Sequence, residues 1–235
     1  MGCQEKEPYP APGLASDKGS QPAAVGFMDL PGLVREGIYK HVLTIKHPVY
    51  LFQDFGRRVE AFAPDKPKQW IALLYTNRQI SSEAKAVLYG NNNFHLMDNP
   101  EKHGALLQSF LGSIGSSNAN SLSYLCLGFP VAEKAQGQAD GVAIRQDSLQ
   151  SLSLVREQCL GINTLEMQMC KENSRLLVGA REEDAQLVRD VLLRVDAQLQ
   201  AISSVKKIVI RLSIKGVPSL VVDAMQNLAW VVLDG

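Results

Sequence analysis

From residue 101 onward the chain repeats one pattern, helix then strand, and this limits its fold more than any other feature. Apolar residues at helical spacing over 101–115 (Leu106, Leu107, Phe110, Leu111, Ile114) precede the apolar run SYLCLGF at 123–129. A helical pattern at 148–160 precedes TLEMQM at 164–169, one at 182–202 precedes KKIVIRLSI at 206–214, and one at 218–226 precedes LAWVVL at 228–233. The long pattern has Leu187, Val188, Val191, Leu192, Val195, Leu199 and Ile202 on one face, and it opens on Glu182, Glu183 and Asp184, which suit the positive end of a helix dipole. Antiparallel strands can be joined by a tight turn, whereas parallel strands need a crossover long enough to hold a helix. The alternation therefore predicts an α/β fold of parallel strands with crossover helices.

The strands alternate only in part between apolar and polar residues, as expected where helices cover at least one face of a sheet. Their starts are unevenly spaced, so the layout is an irregular leucine-rich-repeat-like layer and not a regular repeat. Residues 132–146 are a Gly/Ala/Gln-rich excursion within it.

The N-terminal part differs. Residues 1–26 are rich in Pro, Gly, Ser, Ala and charge, lack apolar periodicity and read as a disordered tail. Residues 27–235 read as a single α/β domain, with 27–97 as its distinct first part and 98–235 as the helix–strand part. Asp29 is a suitable N-cap and Pro31 falls where no backbone donor is needed. Leu30, Val34, Ile38 and Val42 then recur every four residues with Leu33 beside them, an amphipathic helix weakened by Gly37. PVYLFQ (48–53) and RVEAF (58–62) read as two strands of a hairpin turning at Asp54 to Gly56. A second helix covers the stretch from Trp70 to Leu88, with Ile80, Ala84, Val87 and Leu88 on one face. Gly90 to Asn93 end it through left-handed backbone, and NFHLM (93–97) follows as a strand.

Several chemistries find no support in the pattern. The 24 basic residues balance the 24 acidic ones, which argues against the basic excess of a nucleic-acid binder. Lys66 with Lys68, and Lys206 with Lys207, read as solvated surface. The four cysteines, Cys3, Cys126, Cys159 and Cys170, form no CxxC pair, which speaks against a zinc ribbon or a thioredoxin-like motif. Cys126 and Cys170 lie in apolar strand patterns and read as small buried hydrophobes in a reduced, intracellular protein. The histidines His41, His47, His95 and His103 show no metal-ligand spacing. GSIGSS (112–117) follows a helix and precedes a strand, the wrong order for phosphate binding, and reads as a loop. The Asp-Phe-Gly at 54–56 has no accompanying kinase motif and reads as a turn. No run is long enough for a membrane span, and no secretory signal opens the chain. Gly2 followed by Cys3 invites lipidation, but Lys6 stands where a hydroxyl residue belongs. No catalytic residue, metal or cofactor is expected. An enzyme would need histidine, glutamate or cysteine side chains, with His95, His103 and Cys126 first among them, to converge in a pocket.

Arg78 and Glu83 stand inside the apolar pattern of the second helix. They are five apart, and facing partners on a helix are three or four apart. Each is therefore expected to have its own partner: a loop or carboxylate for Arg78, and Arg35 or a backbone donor for Glu83. Removing either is expected to lower stability.

Read together, two stretches resemble a group of fungal F-box-like proteins. FMDLPGLVREGIYKHVL (27–43) is similar to their opening motif through Leu30, Pro31, Val34, Arg35, Ile38, Tyr39 and Leu43, with Leu33 in place of the usual acid. LLYTNRQISSEAKAVLYGNNNFHL (73–96) is similar to their second motif through Leu73, Leu74, Arg78, Gln79, Ile80, Glu83, Ala84, Leu88, Tyr89, Asn91 or Asn92, and Phe94. The resemblance implies an F-box-like helix and hairpin leading into the α/β layer. It implies that Leu30, Pro31, Val34 and Ile38 contact a partner protein, a Skp-type adaptor of a cullin ubiquitin ligase, while the layer recruits a target through its strand edge and loops, 130–146 included. Arg35, Tyr39, Arg78, Glu83, Tyr89 and Phe94 become a structural signature that locks helix to sheet. The function so implied is a non-enzymatic interaction module of the cytoplasm or nucleus. The other reading is a lineage-specific scaffold or effector-like protein without a ligase link.

Overall fold

A computed structural model describes residues 25–53, 58–97, 102–135 and 141–235. The tail expected over 1–26 lies outside these residues except for its last two positions, and so does the turn at Asp54 to Gly56.

The expected alternation builds one main sheet. Its strands are β1 (Val49–Gln53), β2 (Val59–Phe62), β3 (Phe94–Leu96), β4 (Tyr124–Gly128), β7 (Thr164–Met169), β8 (Lys207–Leu212) and β9 (Val231–Asp234). A separate small hairpin pairs β5 (Ala132–Lys134) with β6 (Val142–Ile144). The helices are α1 (Gly32–Leu43), α2 (Arg78–Asn91), α3 (His103–Ile114), α4 (Ser116–Ala119), α5 (Gln146–Gln158), α6 (Arg175–Val178), α7 (Ala185–Gln200) and α8 (Ser219–Asn227). The seven strands run in the order β2-β1-β3-β4-β7-β8-β9. All neighbours are parallel except β2, which pairs antiparallel with β1 at one edge. The protein is thus mixed α/β with a mostly parallel central sheet.

From β1 to β9 the strand order follows the sequence, so every crossover steps in the same direction. Right-handed crossovers stepping one way leave their helices on one face. The burial agrees. Val49, Leu51, Phe94, Leu96, Leu125, Leu127, Leu165, Met167, Ile208 and Ile210 join the continuous apolar core with α2, α3, α5 and α7. The alternate residues occupy the open face, where Tyr50, His95, Tyr124, Thr164, Gln168 and Arg211 are half-buried and Cys126, Glu166 and Val209 are buried among them.

Several expectations are corrected. The hairpin β1–β2 is no separate entry element, since β1 pairs in parallel with β3 and belongs to the main sheet. The excursion at 132–146 contains the two-stranded pairing β5–β6, whose strands of three residues each, one of them Ala-Glu-Lys, gave little signal. Helix α1 starts one residue after Pro31, and Asp29 closes a preceding 3-10 turn by accepting from the Gly26 amide. A 3-10 turn over Ala72–Tyr75 and an Asn77 cap divide the second helical region, so that α2 starts at Arg78. That helix ends without left-handed backbone, because Asn92 is extended and its side chain supplies the capping bonds. GSIGSS is a helix-to-helix joint and no loop. Gly115 at φ 78° turns α3 into α4, a conformation that costs a residue with a Cβ. Cys170 lies just past β7 and is half-buried. Among the described residues no helix is long and apolar enough to cross a membrane.

Candidate functional site

Helix α1 is anchored by a line one residue away from its apolar stripe. Arg35, Tyr39 and Leu43 are its buried residues. At 3.6 residues per turn, one residue is a rotation of about 100°, so the stripe Val34, Ile38 and Val42 turns away from the core. Leu33 is 83% exposed, Val34 47%, Ile38 36% and Val42 39%.

The anchor is chemical as well as apolar. The Arg35 guanidinium donates from Nε to Glu83 Oε2 at 2.9 Å and from Nη2 to Glu83 Oε1 at 2.8 Å. Its Nη1 donates to the Leu30 carbonyl at 2.6 Å, which draws the segment before α1 onto the same residue. Tyr39 Oη donates to Glu83 Oε2 at 3.0 Å, and Gln79 Nε2 donates to Oε1 at 3.0 Å. The hydrogen bonds from Arg35, then Gln79, outweigh desolvation and lower the Glu83 pKa to about 2. The aliphatic stem of Arg35 and the ring of Tyr39 bury while their polar ends find the carboxylate.

The far end of the same helix pair is held by a neutral group. Asn92, 1% exposed, donates to the carbonyls of Leu88 at 2.8 Å and Leu43 at 3.0 Å, and accepts from the Ile45 amide at 2.9 Å. One side chain thereby closes the ends of both α1 and α2 beside the start of β1.

The signature residues are now placed. Arg35, Tyr39 and Glu83 meet, and they join helix to helix and not helix to sheet. Arg78 does not join them. As the first residue of α2 it is exposed and makes no hydrogen bond or ion pair with a described residue. Tyr89 stacks on Phe94 with ring centroids 5.6 Å apart, and Phe94 packs against Phe110. These rings line an apolar cleft of about 520 Å³ beside Trp70 and Leu74. Leu30 is half-buried, and Pro31, Val34 and Ile38 are exposed.

A second cluster lies on the open face of the sheet, where one row crosses the strands as Tyr50, His95, Cys126, Glu166, Val209 and Val231. Glu166, 1% exposed, accepts from Arg211 Nε at 2.6 Å and from Arg211 Nη2 at 3.2 Å. Tyr124 Oη also donates to Glu166 Oε2. Burial alone would raise the Glu166 pKa, but the bonds from Arg211 and Tyr124 prevail and hold it below the ordinary value. The Cys126 thiol points Sγ at Glu166 Oε1 over 3.7 Å. Burial first, then the negative charge of Glu166, pushes that thiol up, so by itself it is no thiolate nucleophile. Burial lowers the pKa of His95 and favours its neutral ring, which stacks on Tyr124 with centroids 6.0 Å apart.

The donor atoms of His95, Cys126 and Glu166 all lie within 4.8 Å of one another, the one group of three such residues that converges among the described residues. His103 is not part of it; its Nδ1 accepts from the Gly128 amide at 3.1 Å. The sequence pattern singled out His95 and Cys126 but missed Glu166. The available signal was its place as the lone acid in an apolar strand, TLEMQM.

The fold defines a class, an α/β protein with a singly wound, mostly parallel sheet. Comparison with known proteins returns no matching family model, no matching curated protein and no matching solved structure.

Proposed function

We propose that this chain is a non-enzymatic, intracellular protein-interaction module in which α1 is the recognition helix. The carrying observation is the rotation of α1, which presents Leu33, Val34, Ile38 and Val42 to solvent while Arg35, Tyr39 and Leu43 hold it in place. Covering an exposed Val, Leu or Ile side chain gains up to roughly 1.5–3 kcal/mol, and this stripe is long enough to seat on a groove in a partner. The F-box-like signature makes a Skp-type adaptor the partner of choice, with the α/β layer and its 130–146 excursion recruiting a target. One observation favours the scaffold or effector-like reading without a ligase link. Helix α1 is followed by the hairpin β1–β2 of the main sheet rather than by further F-box helices.

Co-purification of the full chain with a Skp-type adaptor, beside a known F-box protein as control, tests the proposal. The expected result is capture by the native chain and loss of capture by a Val34→Asp/Ile38→Asp variant with an unchanged melting midpoint. No capture where the control captures overturns the ligase link. Capture unaffected by the variant overturns the role of α1.

A further inference from the structure

The row on the open face changes character along its length. Tyr50 on β1 is aromatic and Val209 on β8 is aliphatic, yet the three strands between them carry an imidazole, a thiol and a carboxylate in direct register. We propose that His95, Cys126 and Glu166 bind a zinc-class divalent metal ion, at a site separate from α1 and independent of what α1 binds.

Nitrogen, sulfur and oxygen donors together are the ligand set of zinc and its neighbours, and hard oxygen-seeking ions such as magnesium do not use thiolate. Bond lengths of roughly 2.3 Å to sulfur and 2.0 Å to oxygen give a tetrahedral edge of about 3.5 Å. Cys126 Sγ and Glu166 Oε1 stand 3.7 Å apart, already near that edge. His95 is the half-buried member, and neither of its ring nitrogens hydrogen-bonds a described residue, so a small swing of its ring completes three corners. The fourth corner takes a water molecule.

The surroundings also suit an ion. Arg211 and Tyr124 already hold the carboxylate, as outer partners do for the ligands of a metal. Arg211 also opposes a cation, but binding converts the Cys126 thiol to a thiolate. Two ligand negative charges then meet one arginine and one divalent ion, leaving a single positive charge locally. The thiol proton leaves to solvent, and bonds form to one ring nitrogen, to Sγ and to one carboxylate oxygen.

The test titrates the reduced, metal-free full chain with Co²⁺ as a spectroscopic probe, followed by Zn²⁺. One equivalent of Co²⁺ is expected to bind with a thiolate-to-cobalt charge-transfer band that Zn²⁺ abolishes. Cys126→Ser is expected to lose the band, and His95→Gln to weaken binding at least ~10-fold. A Cys3→Ser/Cys159→Ser/Cys170→Ser variant is expected to keep the band. Circular dichroism without metal checks each fold, and if Cys126→Ser does not fold, the half-buried His95→Gln carries the test. No charge-transfer band in the native chain overturns the proposal. So does a band that His95→Gln leaves at full affinity, or one that disappears when the other three cysteines are replaced.

Discussion

The molecule contains the same trio twice, an arginine that holds a glutamate with two hydrogen bonds and a tyrosine hydroxyl on the same carboxylate. At the helix joint it is Arg35, Glu83 and Tyr39; on the sheet it is Arg211, Glu166 and Tyr124. The difference lies in what else surrounds the carboxylate. Glu83 has a fourth strong donor in Gln79, and its side chain is 31% exposed. Its hydrogen-bonding capacity is taken up, and it serves as a clamp. Glu166 is buried, and its remaining neighbours are a weak thiol donor and a neutral imidazole. Chemistry is therefore left over at the second trio and absent from the first.

The largest effect should come from the neutral joint that supports the clamp. Asn92→Ala removes three hydrogen bonds and leaves the Leu88 carbonyl and the Ile45 amide without their side-chain partner, while the Leu43 carbonyl keeps the bond from Trp70 Nε1 at 3.0 Å. Unsatisfied buried groups cost about 1–3 kcal/mol each, so urea unfolding should show a loss of roughly 3 kcal/mol. A loss no greater than that of Glu83→Gln would show that the charged clamp, and not Asn92, holds the helix pair.

Glu166→Gln should follow, with a loss of about 2 kcal/mol. Removing one partner of a buried pair costs roughly 3–5 kcal/mol, reduced here because the Arg211 side chain is 36% exposed. A loss smaller than that of Glu83→Gln in the same experiment would break the distinction between the buried carboxylate and the half-buried one.

The clamp should show itself in pH dependence. The folded-state pKa of Glu83 is depressed to about 2, so its contribution is complete above the ordinary carboxylate range and is lost as pH falls from there to about 2. The melting-midpoint difference between the native chain and Glu83→Gln should hold steady near neutral pH and shrink as acid is added below that range. A difference that stays constant down to pH ~2 would remove the Arg35–Glu83 bond as its source.

Arg78→Ala should do least. The side chain is exposed on the first turn of α2, and such surface changes stay within about 0.5 kcal/mol. A larger loss of stability would give Arg78 the structural partner expected from its place in the motif.

The amino-acid sequence by itself determined the class of fold. Apolar spacing located the five strands from β3 onward that alternate with helices, and the alternation pointed to parallel pairing, because a helix between two strands carries the chain back to the end of the sheet where the next parallel strand starts. It also brought Arg35 and Glu83 together as candidates, since each stands in a motif that reads as a unit. The rotation of α1 was not legible, because stripes one residue apart are both helical and only the position of Glu83 on α2 decides which one turns inward. The convergence of His95, Cys126 and Glu166 was decided by tertiary structure alone. Cys126 and Glu166 are 40 residues apart in sequence, and sliding either strand by one residue would move its side chain to the opposite face. Local pattern sets what each segment becomes, but packing against the helix layer sets the register, and the register puts three ligating groups side by side.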